Sequence, residues 1–228
     1  MKPLQKRMAR LVIRLKRQLA EGKKYRKTPV YLAILLGAFS LVGAVLLSTG
    51  YEVTSEPIAQ RLKEDLMSSL AMVIPLDKHD NDLVRDSYGF TPTNGDKRII
   101  YPATNKGIVT ALAYQVIGQG YGGTIKILMG VDKSGAVLGV RVLQHAETPG
   151  LGDLIEEGKG KWILGFNGLS LGNPPPENWA VKKDGGQFDQ FSGATITPRA
   201  VVRAVRAGLE FFAANKRQLL SRQQETGS

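Results

Sequence analysis

Three kinds of hydrophobic pattern succeed one another along the chain. Over residues 28–51 nothing is charged, and the centre reads Val30-Tyr-Leu-Ala-Ile-Leu-Leu-Gly-Ala-Phe-Ser-Leu-Val-Gly-Ala-Val-Leu-Leu47. A helix rising ~1.5 Å per residue over that length crosses a hydrocarbon core of ~30 Å. A period of four follows. Thr54 or Ser55 is placed to cap a second helix with Glu56 and Pro57 in its first turn, and Ile58, Leu62, Leu66 and Leu70 form an apolar stripe expected to pack on the domain beyond. After a polar, turn-rich stretch over residues 75–97, β-branched runs at 108–117, 124–131 and 136–144 predict strands. Asp132-Lys-Ser-Gly135 supplies the turn between the last two, and Gly118, Gly120, Gly122 and Gly123 part the first two, so a meandering antiparallel sheet is expected. A short helix is expected near residues 153–158 and little regular structure after it. Residues 198–220 then place Val201, Val202, Val205, Leu209 and Phe212 on one helical face. The fold class is α+β. Its expected organisation is a leader over 1–27, a transmembrane helix over 28–51, a single domain over 52–220 and a flexible tail over 221–228.

Charge changes the picture only at the amino terminus. The chain carries +11 overall, but residues 1–27 hold eleven Lys or Arg against the single acid Glu21, which leaves 20 basic and 19 acidic residues elsewhere. A nucleic-acid partner is therefore not expected of the domain. Basic flanks stay on the cytoplasmic side, so the domain is expected in the periplasm of a bacterial inner-membrane protein. Within the leader, Leu4, Met8, Leu11, Val12, Leu15 and Leu19 recur at helical spacing. Two readings stand for it: an amphipathic helix on anionic lipid, or a solvated orientation signal. A cleaved signal peptide fits poorly, because the apolar run is long and lies behind a long basic leader. The chain has no cysteine, which excludes disulfides, cysteine-ligated iron–sulfur clusters and cysteine nucleophiles.

Candidate chemistry lies in two loops. Asp189-Gln-Phe-Ser-Gly-Ala-Thr-Ile-Thr197 precedes Pro198, and Thr197 followed by proline reads as a helix start, with Thr197 the cap. Thr195 then sits just before a helix N-terminus, where backbone donors and the dipole favour phosphate; a plain connection is the competing reading. His145-Ala-Glu-Thr-Pro-Gly-Leu-Gly152 leaves the third strand, and its density of Gly and Pro around Glu147 and Thr148 reads as a constrained binding loop, with Gly152 permitting a close backbone approach. Asp77, Asp80, Asp82 and Asp86 near His79 lack the spacing of a calcium loop and read as a solvated loop with no metal. Trp162, Phe166 and Trp179 read as core aromatics.

The pattern Asp189-x-x-Ser192-Gly193-Ala194-Thr195 resembles the flavinylation motif of FMN-binding domains, in which the last threonine is joined to the flavin phosphate by a phosphoester. With the Glu147 loop upstream and a single amino-terminal span, the chain resembles the G subunits of Rnf-type electron transport complexes over residues 28–215. That resemblance implies covalent FMN on Thr195, one per chain. It implies Ser192, Gly193, Ala194 and Thr197 around the phosphate, and Glu147, Thr148 and Leu151 beside the flavin. It further implies that a separate flavin transferase, using FAD and a magnesium ion, recognises Asp189, Ser192, Gly193, Ala194 and Thr195. The implied role is electron relay among the subunits of a membrane translocase coupling ferredoxin and NAD oxidoreduction to ion transport, with no catalysis by the chain alone. The C subunit of the sodium-translocating NADH:quinone reductase is similar in architecture and is the alternative. A non-redox membrane-anchored binding module is the alternative of another class, and predicts that loss of the leader matters and loss of Thr195 does not.

Overall fold

The computed structural model describes residues 28–92 and 96–221; the expectations for the leader over 1–27 and for residues 222–228 lie outside the described residues. The chain divides into two compact units, Met1–Arg61 and Leu62–Ser228.

In the first unit the described chain is helical. Helix α1 (Pro29–Val73) opens here and continues into the second unit, and it is the described helix that is long and apolar enough to cross a membrane. No residue from Pro29 to Gly50 is buried. The helix start expected at Thr54 or Ser55 does not occur. The Thr54 hydroxyl donates back to the Gly50 carbonyl at 2.7 Å and Ser55 to Glu52 at 3.3 Å, so both side chains serve the preceding turn rather than cap a new one. Pro57 lies inside the helix, where its missing N–H costs one ladder bond without ending the element. Of the apolar stripe, Ile58 stays 56% exposed.

The second unit holds the sheet. Strands β1 (Tyr88–Phe90), β2 (Arg98–Asn105), β3 (Ile108–Gln119), β4 (Thr124–Asp132) and β5 (Val137–Gln144) lie in sequence order and pair antiparallel throughout. The three expected strands form as a meander. Both sheet faces are covered, which is why the strands carry nearly continuous buried runs instead of strict alternation. On one face Leu70, Val73 and Ile74, from the end of α1 onward, pack on Tyr101, Ala111, Ala113 and Leu128, with Leu66 partly buried beside them and Leu62 still 65% exposed. Helix α2 (Ile196–Ser221) covers the other face through Val201, Val202, Val205, Leu209 and Phe212, the side chains its periodicity predicts, and Ser221 ends the helix instead of opening a tail.

β1 and β2 have no counterpart in the expected elements. β2 contains Pro102, which argues against an interior strand. β1 pairs only as far as Ile100, so Pro102 sits where β2 is an edge. The loop expected to be merely solvated closes that edge: Asn81 donates to the Pro102 carbonyl at 3.0 Å and accepts from the Thr104 amide at 2.8 Å, and Asp80 donates its amide to the Thr104 carbonyl at 2.8 Å. Beyond β5 the chain runs through 3-10 turns at Gly152–Ile155, Trp162–Phe166, Pro176–Asn178 and Lys182–Asp184. The first of these replaces the helix expected near 153–158 and is shorter.

Candidate functional site

The site lies where three segments of the second unit meet: the β3–β4 hairpin tip, the loop leaving β5, and the segment entering α2. The third is shaped by a tight turn. The Ala194 amide donates to the Phe191 carbonyl at 3.1 Å, and Gly193 has φ 78°, the left-handed third position of a type II turn. Phe191 is buried against Trp162, whose indole N–H donates to the Asp189 carbonyl at 2.9 Å. Phe166 continues the contact to Phe188 and Trp179, so the aromatics do form core, directly beneath the turn. The Asp189 carboxylate stays exposed, 2.6 Å from Lys182. Ser192 and Gly193 are exposed at the turn, and Ala194 and Thr195 are half-buried.

Helix α2 starts two residues earlier than expected, and this reassigns both threonines. The Thr195 carbonyl accepts the Arg199 amide at 3.4 Å, which makes Thr195 the N-cap position. Thr197, expected as the cap, is inside the first turn, 1% exposed, and its hydroxyl donates to the Glu147 carboxylate. Arg199 holds Asp184 by two bonds at 2.6 and 2.7 Å, tying the first turn of α2 to the preceding 3-10 turn, and this pairing holds the Asp184 carboxyl below its ordinary value.

Opposite Thr195 stands the Glu147 loop. Glu147 is 5% exposed, and its carboxylate accepts the amides of Tyr121 at 3.2 Å and Gly122 at 2.9 Å as well as the Thr197 hydroxyl. His145 orients the loop: its Nδ1 accepts the Glu147 amide at 3.0 Å, so Nε2 carries the proton that faces Glu156 at 2.8 Å. Lys159 joins Glu156 at 2.7 Å and buried Asp153 at 3.0 Å. The Glu156 carboxyl is held low first by Lys159 and then by His145; that of Asp153 is held low first by the Gly150 amide and then by Lys159.

Between these walls is a cavity of about 350 Å³ lined by Tyr121, Glu147, Thr148, Leu151, Gly152, Gly193, Ala194, Thr195, Ile196 and Thr197. The structure therefore brings Glu147, Thr148, Leu151, Gly193, Ala194, Thr195 and Thr197 to one cavity. Ser192 and Asp189 lie outside its lining. Ile196, between the two threonines of the quoted stretch, and Tyr121 also line the cavity; for Tyr121 the glycine run around it was the available signal. Tyr121, Leu151 and Ile196 are 75%, 42% and 46% exposed, an apolar rim around a polar end at the helix start. A planar ring system with a phosphate tail fits that arrangement: apolar walls for the rings, and free amides plus the positive dipole end for the phosphate.

Residues 120–210 match the family described as FMN-binding domain, so hairpin tip, loop and helix start all fall inside it. The G subunit of the ion-translocating oxidoreductase complex of Cereibacter sphaeroides is 48% identical over 200 residues, covering 88% of this chain and 91% of that protein. The chain belongs to this G-subunit family. The corresponding G subunit of Stutzerimonas stutzeri is 44% identical over 189 residues, covering 83% of each chain. Among solved structures, NqrC of Shewanella oneidensis is similar at 22% identity, covering 66% of this chain and 73% of that one, with a TM-score of 0.43. As in that family's name, the chain is a subunit of an oxidoreductase complex, and its α+β domain is an FMN-binding domain behind one apolar helix.

Proposed function

We propose that this chain is a single-span flavoprotein carrying FMN covalently on Thr195 and relaying electrons within an ion-translocating complex. The observation that carries the reading is the placement of Thr195: it is the N-cap of a 26-residue helix and lines the cavity inside the FMN-binding region. Ser192, Gly193 and Ala194 bring backbone to the phosphate end, as the resemblance implies, and the N–H groups of the first turn of α2 add the positive end of its dipole. Thr148, Leu151, Tyr121 and Ile196 offer apolar and hydroxyl contacts to the rings. Bound there, the flavin supplies one-electron transfer chemistry.

Attachment falls to a second enzyme. A neutral threonine hydroxyl is a weak nucleophile. Glu147, the carboxylate that lines the cavity, already accepts three donors from the protein. A transferase recognising Asp189 to Thr195 and using FAD with magnesium balances the step. The Thr195 oxygen forms a phosphoester to the FMN phosphorus, the pyrophosphate bond of FAD breaks, AMP leaves, and the hydroxyl proton is lost. Residues 28–51 form the anchor, with the basic leader cytoplasmic and the domain periplasmic, because Lys and Arg crowd one flank only. The partners are the other subunits of the complex, the transferase and the lipid bilayer.

The test is Thr195→Val in cells that contain the transferase. Wild-type chain is expected to fluoresce on a denaturing gel and to gain the mass of one FMN less water; the variant is expected to fold and to show neither. A colourless wild type, or a Val variant that keeps the adduct, ends the proposal.

A further inference from the structure

Four hydroxyl-bearing residues line the candidate cavity, Tyr121, Thr148, Thr195 and Thr197, and the structure treats the last two in opposite ways. Thr197 is 1% exposed and gives its proton to Glu147, whereas Thr195 is half-buried at the rim, with no side-chain partner among the described residues. Both threonines line the same cavity, so what separates them is burial: Thr197 is held under the surface on Glu147, while Thr195, the N-cap just outside the helix, stays reachable at the rim.

Glu147 does the holding. It is 25 and 26 residues from the amides it accepts and 50 from the hydroxyl, so one carboxylate ties the hairpin tip, its own loop and the start of α2. Backbone approaches around it admit no side chain. A Cβ on Gly122 would overlap the Ala146 carbonyl oxygen, and one on Gly152 would sit 2.9 Å from both the Glu147 Cβ and the Thr197 hydroxyl. The close approach expected of Gly152 is thus made by Glu147 and Thr197 themselves. Both Glu147 oxygens are hydrogen-bonded; deleting one donor leaves a buried acceptor with one partner fewer, and deleting the acceptor leaves all three donors without it.

We propose that Glu147 and Thr197 form a clasp that positions the Thr195 hydroxyl for modification and withdraws Thr197 from it. Glu147 then acts on flavin attachment through the protein, as a positioning residue. This rests on the reading of Thr195 as the attachment site.

Two readouts on the full-length chain test it. In cells with the transferase, flavin per chain is measured by in-gel fluorescence for Thr197→Val, Thr197→Ser, Glu147→Gln and the Val/Gln double variant. Thr197→Val and Glu147→Gln are expected to lose attachment by on the order of tenfold, Thr197→Ser to recover most of it because the donor is restored, and the double variant to be no worse than the poorer single, as for residues of one network. In cells without the transferase, amide hydrogen exchange of the unmodified chain is expected to quicken on the order of tenfold at Tyr121 and Gly122 in Thr197→Val and Glu147→Gln, with the core strands β3 and β4 still protected. Full attachment in Thr197→Val, a serine variant as poor as valine, or unchanged exchange at Tyr121 and Gly122 overturns the clasp. If the wild type carries no flavin, the reading of Thr195 fails by itself, and the exchange readout still decides whether the clasp exists.

Discussion

α1 and α2 are both rich in aliphatic residues, and they dispose of them in opposite ways. From Pro29 to Gly50 of α1 no side chain is buried, whereas on α2 Val201, Val202, Val205, Leu209 and Phe212 are all within 2% of full burial and Arg203 and Glu210 face outward. A helix that is apolar on every side and unburied by its own protein is solvated by lipid; one apolar stripe backed by charge is solvated by a protein core. The difference also bears on the chemistry. A buried stripe fixes the rotation of α2 against β3 and β4, so its first turn presents Thr195 and Thr197 in defined directions. Over the exposed stretch of α1 nothing in the described protein fixes a side chain in that way.

Thr195→Val is the largest expected effect, a complete loss of attached flavin from one end of α2, and the clasp variants follow at on the order of tenfold. On the packed helix itself, Phe212→Ala removes a ring buried in the core between α2 and the sheet and should destabilise the domain by about 3–5 kcal/mol. Denaturant unfolding of the detergent-solubilised chain checks this, and a loss under about 1 kcal/mol would mean that α2 is less tightly packed than its burial indicates. On the other helix, Phe39→Arg lies mid-span and is 71% exposed, so it should leave the domain fold intact while costing insertion about 3 kcal/mol. The fraction of chain resisting alkaline extraction from membranes reads that out; unchanged extraction would remove the distinction between the helices.

The smallest effect is electrostatic. The Asp184 carboxyl is held below its ordinary value of 3.8 by Arg199 on α2. Its folded value is the depressed one, so the contribution of the pair is fully present above pH 3.8 and is lost as pH falls through the depressed value. Amide exchange in the first turn of α2 should quicken in that acid window, and Asp184→Asn should remove the step. Residues 28–51 hold no carboxylate and should show no such transition. A step that survives in the Asn variant would assign it to another group.

Much of the fold was legible in residue order. The strands from Ile108 onward and the inward face of α2 follow from periodicities that any short window displays. β2 was not legible, because Pro102 argues against a strand until it is known that β1 stops short and Asn81 takes the freed carbonyl. The stripe Ile58, Leu62, Leu66, Leu70 is uniform in sequence, yet only its second half meets the sheet. Around the cavity, the motif residues could be named from the chain, while Tyr121 could not, since it joins the site through contacts distant in sequence.

By itself the sequence determined the apolar helix, the basic flank before it, the meander and the threonine to which the motif points. These are local properties, set by spacing along the chain and by the chemistry of single residues. Only the tertiary structure decided which of two threonines caps α2 and which is drawn inward, what Gly152 makes room for, and that Glu147 joins three segments. Those outcomes depend on donors and acceptors 25 to 50 residues apart meeting where water is excluded, and no window of sequence contains both partners.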